Sequence, residues 1–512
     1  MSEKRADNTG LDTKHGMGKN AYYTSVGIFL SSFFGSLTYY FIGRYFGAGA
    51  ITDAFFAVNV IWLFFLTFAS TFRYTLSAML SADLDHEVFR ERLGESLLTV
   101  IYITLPLCIL LFVFSREAAM LAGIGFNEEQ LNIVSLMLKF MVPGLVFMFA
   151  GFVFSAALGA RGIFSVPAAA IAVVNAVCFL FLVVFRNSFG IYSVIAGMVA
   201  GYLISFAIVF VKSVQCRFLP KFRKLTMSDL RVITTPIVTG SAIYMFNEIN
   251  YWILQSYSSV FEKGTPSIFA YSSTIAAFII YIISFPISVV SVPSMVRKAD
   301  EIEKYIKGCL RFNALFTVPV AISFFFMATP AVAFFFGDTF SPRQIEVFSF
   351  LVKAYMPVVI IGGVCLQLFS LFFAMNEGKH LFISGAVSVP VNLIVLFLFR
   401  DSLGVYTLAA AQLAYTLAIV IYLVAVMRMK GMVIKYIPSS VFPPDVSLYG
   451  LISLGIVWYV FRGVEASITG MTTGGFFKIS SAWIIYFLLY GIMIRFLSPA
   501  KYGELVSIIR KS

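Results

Sequence analysis

Apolar runs of about twenty residues recur along the whole chain, and short polar breaks separate them. Each run is long enough to cross a hydrocarbon core of about 30 Å. Because the backbone finds no water there, it must form helices or a closed barrel, and the period-two alternation of a barrel is missing. We therefore predict an all-α, polytopic membrane protein. About fourteen spans are predicted, at residues 21–42, 53–80, 95–115, 131–157, 165–186, 191–211, 231–258, 268–295, 308–328, 345–374, 381–399, 405–427, 448–463 and 479–497.

The pattern of one stretch, 139–200, occurs a second time about two hundred residues later, which indicates a duplication. The repeated landmarks come in the same order: Lys139 and Pro143 with Lys353 and Pro357, the polar breaks 159–162 and 376–379, Val174-Asn175 with Val391-Asn392, and 185–192 with 399–406. Internal repeats in a hydrophobic chain are typical of transporters whose halves rock around a central site. The repeat predicts two pseudo-symmetric six-helix lobes, 21–211 and 231–427. Segment 428–512 would add a basic loop, helices 13 and 14 and a tail.

Composition and charge support a membrane protein and predict its orientation. The chain is 60% hydrophobic and only 12% charged, whereas a soluble domain has roughly 25% charged residues. With the N-terminal tail 1–20 inside, the predicted inner segments hold about three times as many Lys and Arg as the outer ones. We therefore predict cytoplasmic N and C termini and a basic cytoplasmic linker at 212–230. The positive-inside rule accounts for the net charge of +12, so no nucleic acid is expected as a partner.

No catalytic motif is visible. The chain has no phosphate-binding Gly-x4-Gly-Lys-Ser/Thr loop, and its three histidines and five cysteines show no metal-ligand spacing. We expect a transporter rather than an enzyme, without a metal or an organic cofactor. The membrane potential, or an H+ or Na+ gradient, would then supply the energy.

Basic residues inside or beside the predicted spans are the first candidates for a substrate site, because buried charges are costly there. Lys139 and Lys353 occupy equivalent places in the two copies, each four residues before a proline. Arg73 in span 2 and Arg161 after span 4 would meet a diphosphate that enters from the cytoplasm. The alternative is that these side chains extend to the lipid headgroups along their apolar stems.

Glu248 is the one acid near the middle of a predicted span, and Asn247 and Asn250 flank it. A carboxylate at this depth is a candidate for a proton or cation site. The alternative is a structural ion pair with a basic residue. Asn247, Glu248 and Asn250 are therefore the ion-coupling candidates.

One hairpin resembles a known family. The segment 44–56, Arg-Tyr-Phe-Gly-Ala-Gly-Ala-Ile-Thr-Asp-Ala-Phe-Phe, closely resembles the turn between helices 1 and 2 of MurJ-type lipid flippases. It is more loosely similar to Wzx-type oligosaccharide-lipid flippases of the same MOP exporter superfamily. Phe285-Pro286 and Val292-Pro293-Ser294 resemble the end of helix 8 in that family. Asp53 and Lys139 are the site residues that the resemblance carries over; locally, Asp53 is expected to cap the start of its own helix.

The resemblance implies alternating access, in which a polyprenyl-diphosphate-linked saccharide moves from the inner to the outer leaflet of the bacterial cytoplasmic membrane. Lipid II flippases carry arginines in helices 1, 2 and 8, but here span 1 has no basic residue. None lies between Arg44 and Arg73, or between Lys263 and Arg297. We therefore expect a capsule, exopolysaccharide or O-antigen unit as the substrate, with membrane lipids and other polysaccharide-assembly proteins as partners. The alternatives are lipid II and a MATE-like drug or cation antiporter.

Overall fold

The computed structural model describes residues 15–81, 85–223, 227–297, 302–432, 440–460 and 473–498. Among these residues the regular structure is helical and contains no strand, which confirms the all-α prediction. Most of the predicted N-terminal tail and the C-terminal residues from 499 onwards lie outside the described residues.

Fifteen α-helices account for most of the described residues. In chain order they are α1 His15–Phe46, α2 Ala50–Ser81, α3 His86–Val113, α4 Ser115–Ala122, α5 Glu128–Ala160, α6 Ser165–Phe189, α7 Tyr192–Gln215, α8 Met227–Ser258, α9 Thr265–Arg297, α10 Ile302–Phe336, α11 Pro342–Ala374, α12 Gly378–Leu403, α13 Thr407–Met429, α14 Pro444–Val460 and α15 Thr473–Leu497. A short 3-10 turn, Gly404–Tyr406, joins α12 to α13.

Each of the predicted spans falls on one of these helices, and most helices extend a few residues beyond the prediction. The exception to the pattern is α4, an eight-residue amphipathic helix that the hydropathy did not predict because it is too short to span. Among the described residues, eleven helical stretches are long and apolar enough to cross a membrane. One of them, Gly378–Met429, covers two predicted spans. The chain is a multi-pass membrane protein.

Large apolar side chains point outward along many of these helices, as expected for a protein surrounded by lipid. Phe397 and Leu398 on α12 are 68% and 70% exposed. A water-soluble surface would not present contiguous side chains of this kind.

The duplication is also visible in the backbone conformation at two helix ends. Gly190 and Gly404 end equivalent helices with φ of 55° and 54°, and their N–H groups donate to the carbonyls of Arg186 and Arg400. A positive φ is readily available to glycine, which explains why this residue ends both helices.

The N-terminal caps of α5 and α11, the helices that carry Lys139 and Lys353, also match. Asn127 and Gln130 bond each other's backbone N–H at the start of α5, and Ser341 and Gln344 do the same at the start of α11. Equivalent capping boxes at equivalent positions are the result expected from duplication.

The chain divides into two compact units, each with contributions from several stretches of sequence. One unit contains the chain up to Ile42, then Ile61–Met120 and Leu131–Ser241. The other contains Gly43–Val60, Leu121–Gln130 and the chain from Ala242 onwards. Two short stretches from the first half of the sequence therefore belong to the second unit. The predicted lobe boundaries at 21–211 and 231–427 remain predictions.

In the first unit, α6 and α7 pack closely because α7 presents two glycines one turn apart. A Cβ atom on Gly201 would lie 2.8 Å from the carbonyl oxygen of Val174, and one on Gly197 would lie 2.8 Å from the Cα of Cys178. Small residues at this spacing let membrane helices approach each other. Substituting either glycine would force the two helices apart.

In the second unit, α15 is held to α10 through carbonyl groups near a proline. Pro319 has no N–H for the carbonyl of Leu315, and the Tyr490 hydroxyl donates to that carbonyl at 2.8 Å. One turn away, the Tyr486 hydroxyl donates to the carbonyl of Pro319 at 2.9 Å. The Tyr490 hydroxyl therefore satisfies the backbone carbonyl that the proline leaves open, and Tyr486 adds a second bond between the two helices.

Candidate functional site

Asp53 does not cap its own helix, contrary to the sequence-based expectation. Helix α2 begins at Ala50, and Asp53 already lies in its first turn. The capping contact is made one residue earlier, where the Thr52 hydroxyl accepts the N–H of Gly49 at 2.8 Å. The carboxylate of Asp53 is 0% exposed, so its charge must be satisfied by other parts of the protein.

The partners of Asp53 lie more than two hundred residues away, at the start of α9. Its carboxylate accepts the backbone N–H of Gly264 at 2.7 Å, the N–H of Ser267 at 3.0 Å and the Ser267 hydroxyl at 2.5 Å. Helix α9 begins at Thr265, so Asp53 caps the N-terminus of a distant helix. Free N–H groups and the helix dipole both favour a negative charge at this position.

Other contacts between the α1–α2 hairpin and the second half of the chain surround this carboxylate. Arg44 pairs with Asp338 at 2.8 Å, and the Gln344 side chain donates to the carbonyl of Ala48 at 2.8 Å. The Tyr271 hydroxyl donates to the carbonyl of Gly47 at 3.2 Å. We call this set, the segment 44–53 with its partners in 264–271 and 338–344, the Asp53 junction.

A second junction joins the loop between α4 and α5 to the end of α8. The side chains of Trp252 and Ser256 both donate to the carbonyl of Leu121, at 3.2 Å and 2.8 Å. The N–H of Gly125 donates to the Ser259 hydroxyl at 2.8 Å. We call this set, the segment 121–125 with 252–259, the Ser256 junction.

The two junctions have corresponding places in the repeat. In the Asp53 junction, the α1–α2 hairpin contacts the loop that leads into α11. In the Ser256 junction, the last turns of α8 contact the loop that leads into α5. Because α5 and α11 are repeat copies, the two loops are counterparts. All of these residues belong to the second compact unit.

The symmetric lysines have different surroundings. Lys139 is exposed, and its ammonium lies 5.9 Å from the centre of the Phe112 ring. Leu136 and Phe140 on the same helix face are also exposed, as lipid-facing side chains would be. Lys353 is half-buried and forms no ion pair or hydrogen bond with the described residues. A shared cavity role for the pair remains a prediction.

The two arginines lie against aromatic rings in the first unit. The Arg73 guanidinium lies 5.5 Å from the Phe152 ring centre, and that of Arg161 lies 4.3 Å from the buried ring of Phe89. Both side chains are half-buried. A cation over an aromatic face is stabilised at partly dry positions. Their predicted role in meeting a diphosphate remains untested.

Helices α8, α12 and α13 bring several amides together in the second unit. Asn250 donates to Gln412 at 2.7 Å and accepts from Asn392, while the Tyr415 hydroxyl donates to Asn247 at 2.7 Å. Asn250 and Asn392 are almost fully buried. We call these five residues the amide cluster.

The sequence predicted only part of the amide cluster. Asn247 and Asn250 were singled out with Glu248, which is half-buried on the same helix. Gln412 and Tyr415 were missed, because nothing in the local pattern of α13 distinguishes them. Asn392 was noted only as a landmark of the repeat, although a buried polar residue in a membrane helix is itself a signal.

The basic linker is partly neutralised by the protein itself. Lys221 lies 2.7 Å from Glu91 and 3.4 Å from Glu87, and its N–H donates to the carbonyl of Arg90. The hydrogen bonds to Glu91 and Glu87 raise the pKa of Lys221. Anionic headgroups would therefore compete with carboxylates for this lysine. Within the predicted linker, 224–226 lie outside the described residues.

A similar ion pair joins the polar break between α11 and α12 to the residue after α13. Glu377 accepts from Lys430 at 2.6 Å, and Lys379 lies 3.7 Å away. The hydrogen bond from Lys430 holds the pKa of Glu377 below its ordinary value. The pair ties this break to the end of α13.

Comparison with known proteins gives consistent matches. The model of a family described as lipid II flippase MurJ matches residues 42–487. A probable lipid II flippase MurJ of Buchnera aphidicola subsp. Acyrthosiphon pisum is 25% identical, over 66% of this chain and 69% of its own. The corresponding protein of Buchnera aphidicola subsp. Schizaphis graminum is 23% identical, over 74% and 76%.

Two solved structures show the same fold. A lipid II flippase MurJ in an inward closed conformation aligns with a TM-score of 0.77 at 19% identity, covering 93% of this chain and 99% of that chain. A multidrug resistance MATE family transporter of the MOP superfamily aligns with a TM-score of 0.64 at 12% identity, covering 80% and 95%. Both alignments confirm the predicted fold, and the family model confirms the resemblance to MurJ-type flippases.

These matches contradict the expected substrate. A flippase for a capsule, exopolysaccharide or O-antigen unit is wrong, because the family model and both sequence relatives are described as lipid II flippases. That expectation depended on missing arginines at a few positions in spans 1, 2 and 8. The family match extends along most of the chain, so it outweighs a difference at those positions.

Proposed function

Because this chain belongs to the MurJ family of lipid II flippases, we propose that it moves lipid II from the inner to the outer leaflet of a bacterial cytoplasmic membrane. Lipid II is the lipid-linked peptidoglycan precursor, so the headgroup that must cross the membrane is a saccharide linked through a diphosphate. Both termini would lie in the cytoplasm, as the distribution of Lys and Arg predicts. The observation that carries the proposal is the Asp53 junction.

A flippase has to close one side of its path while the other side admits the headgroup. Such a closure must be strong enough to hold and must also be reversible. In the predicted orientation the α1–α2 hairpin lies on the outer side, where Asp53 binds it to the start of α9. Opening would exchange three donors from the protein for water, which is a two-state change rather than a gradual one.

The headgroup carries its own driving force. Moving one negative charge outward across an inside-negative membrane releases about 2.3 kcal/mol per 100 mV. Ion coupling through the amide cluster and Glu248 is a further part of the proposal. The cluster supplies uncharged oxygens and Glu248 the carboxylate, so a proton or a small cation would be taken up beside α8.

Four cations are proposed to contact the phosphates along the path. Lys353 is the best supported of the four, because it is half-buried on α11 and makes no ion pair with the described residues. Arg73 and Arg161 would act from the cytoplasmic side and Lys139 from the outer side. An unpaired ammonium at a partly dry position gains most from a diphosphate partner.

The polyprenyl chain would stay in the bilayer during transport. An apolar cleft of about 240 Å³ runs between α10 and α15. Its lining includes Phe316, Pro319, Phe487 and Ile494. We propose that part of the lipid tail lies against this cleft.

The test is replacement of a bacterium's own lipid II flippase by this chain under conditions in which the resident protein is depleted. Growth, together with normal amounts of lipid II inside the cell, is the expected result. A variant in which Asp53 is changed to Asn should be present in the membrane but should not support growth. Lysis with accumulated lipid II in cells that carry the wild-type chain in the membrane would reject the proposal.

A further inference from the structure

Eight buried side-chain oxygen atoms in the second unit make no hydrogen bond with any described residue, and three of them lie beside Gly363 on α11 or one turn from it. These three are the hydroxyl of Ser284 on α9, Oδ1 of Asn313 on α10 and Oε1 of Gln367 on α11. The three residues are at most 1% exposed. Buried polar atoms are almost always satisfied, so three orphans in one region indicate a bound species.

The side chains of Ser284 and Asn313 meet at one glycine of α11, and Gln367 follows that glycine by one turn. A Cβ atom on Gly363 would lie 2.6 Å from Nδ2 of Asn313, 3.2 Å from its Oδ1 and 2.7 Å from the Ser284 hydroxyl. Nε2 of Gln367 donates to the carbonyl of Ser284 at 3.0 Å. The absence of a side chain at Gly363 therefore lets the polar side chains of Ser284 and Asn313 reach the backbone of α11, one turn from Gln367.

The orientation of Ser284 is unusual for its helix. Ser272 and Thr274 on α9 donate their hydroxyls to backbone carbonyls four residues earlier, as hydroxyls in membrane helices commonly do. Ser284 does not make this bond. One turn later, Ser288 bonds directly to Ser370 on α11. Between α9 and α11, the side chain of Ser288 makes a direct polar contact, whereas the Ser284 hydroxyl has no partner among the described residues.

We propose that Ser284, Asn313 and Gln367 bind one buried water molecule that joins α9, α10 and α11. The stoichiometry fits, because the two hydrogens of water match the two amide oxygens and its oxygen accepts the Ser284 hydroxyl. This site is separate from the amide cluster, which lies on α8, α12 and α13.

A bare cation fits the same oxygens less well. The described parts of the three helices contain two acids, Glu303 and Glu346, each in the first turns of its helix. Glu303 precedes Asn313 by ten residues, about 15 Å along the helix axis. A buried cation bears a large desolvation cost unless a carboxylate lies beside it, and neither acid of these three helices lies there.

The first test is a map of the full chain in lipid at a resolution that shows ordered water, in sodium chloride and again in choline chloride. One peak is expected in both buffers, about 2.7–3.1 Å from all three oxygens. No peak would overturn the proposal. A peak that is present only with sodium, at about 2.4 Å from the oxygens as for a hard cation, would overturn it in favour of an ion.

The second test compares two adjacent glycines by thermal unfolding. Gly363→Ala would push a methyl group into the polar site, whereas the methyl group of Gly362→Ala meets the flexible end of Ile280 at 2.9 Å. We expect Gly363→Ala to lower Tm by at least about 3 °C more than Gly362→Ala. Equal Tm values for the two variants would mean that the polar groups do not converge there, which contradicts the site.

Discussion

The Asp53 junction and the Ser256 junction occupy corresponding places in the repeat but differ in chemistry. The first is built around a fully buried carboxylate with three donors. The second, among the contacts that join 121–125 to 252–259, uses neutral hydroxyl, indole and backbone groups. Hydrogen bonds to a charged group contribute about 1.5–3 kcal/mol, against about 1 kcal/mol for neutral ones.

The difference shows that a duplicated architecture does not imply duplicated energetics. If both junctions close the outer side, the neutral one should separate at lower cost, and the charged one should set the stability of the closed state. Hydrogen exchange measures this directly, because the Asp53 junction protects the amides of Gly264 and Ser267. The Ser256 junction protects those of Ile124 and Gly125.

The largest effect is expected from Asp53→Asn. An amide in place of the carboxylate puts a donor against the donors of Gly264 and Ser267, so the junction should weaken by about 3 kcal/mol or more. Exchange in peptides that contain 264–267 should become much faster, and growth in the depleted strain should be lost.

Asp85→Asn is the matched control for that variant. Asp85 caps α3 in the first unit through the N–H groups of Glu87 and Val88, and Asn is an equally good cap there. It should leave both exchange and growth unchanged. Unchanged exchange at 264–267 in Asp53→Asn would contradict the central role of this carboxylate.

Gly125→Ala should break the Ser256 junction without touching any charge. An added Cβ would lie 2.3 Å from the carbonyl oxygen of Ser259, so the loop must move away, at about 1–3 kcal/mol. Exchange at 124–125 should increase while exchange at 264–267 stays the same. Gly455→Ala, where an added methyl group meets nothing within 4 Å, is the control. Faster exchange at both junctions would show that they open together.

A smaller pair of effects compares one hydroxyl from each junction. Ser267→Ala removes one of three donors to a carboxylate and should cost about 1.5–3 kcal/mol. Ser256→Ala removes one good neutral bond of 2.8 Å and one long one of 3.4 Å, and should cost about 1 kcal/mol. Each variant is measured by exchange at its own junction. The reverse order of the two costs would mean that charge does not distinguish the junctions.

The smallest effect is expected from Arg44→Gln. The ion pair of Arg44 with Asp338 is partly exposed, with 25% and 49% of the side-chain surfaces accessible, so it should contribute at most about 1 kcal/mol. Raising the salt concentration should slightly increase exchange at 264–267 in the wild type but not in the variant. If Arg44→Gln weakened the junction as much as Asp53→Asn does, Arg44 rather than Asp53 would be its main stabilising residue.

The sequence determined the helices and the duplication of this protein. Hydropathy is a local property with a fixed length scale, so each predicted span matches one helix of the structure. The repeat was readable because both copies keep their landmarks, such as the glycines at 190 and 404 that end equivalent helices. The substrate expectation failed because it compared the identities of a few residues rather than the pattern of the whole chain.

The tertiary structure alone decided which distant groups meet. Asp53 looks like the cap of its own helix, and nothing near it in sequence indicates Gly264 or Ser267 as partners. Likewise, no local pattern shows that the side chains of Ser284 and Asn313 meet at one glycine. Hydrophobic periodicity records only whether a side chain is buried, and the partner of a buried polar group depends on how the helices pack.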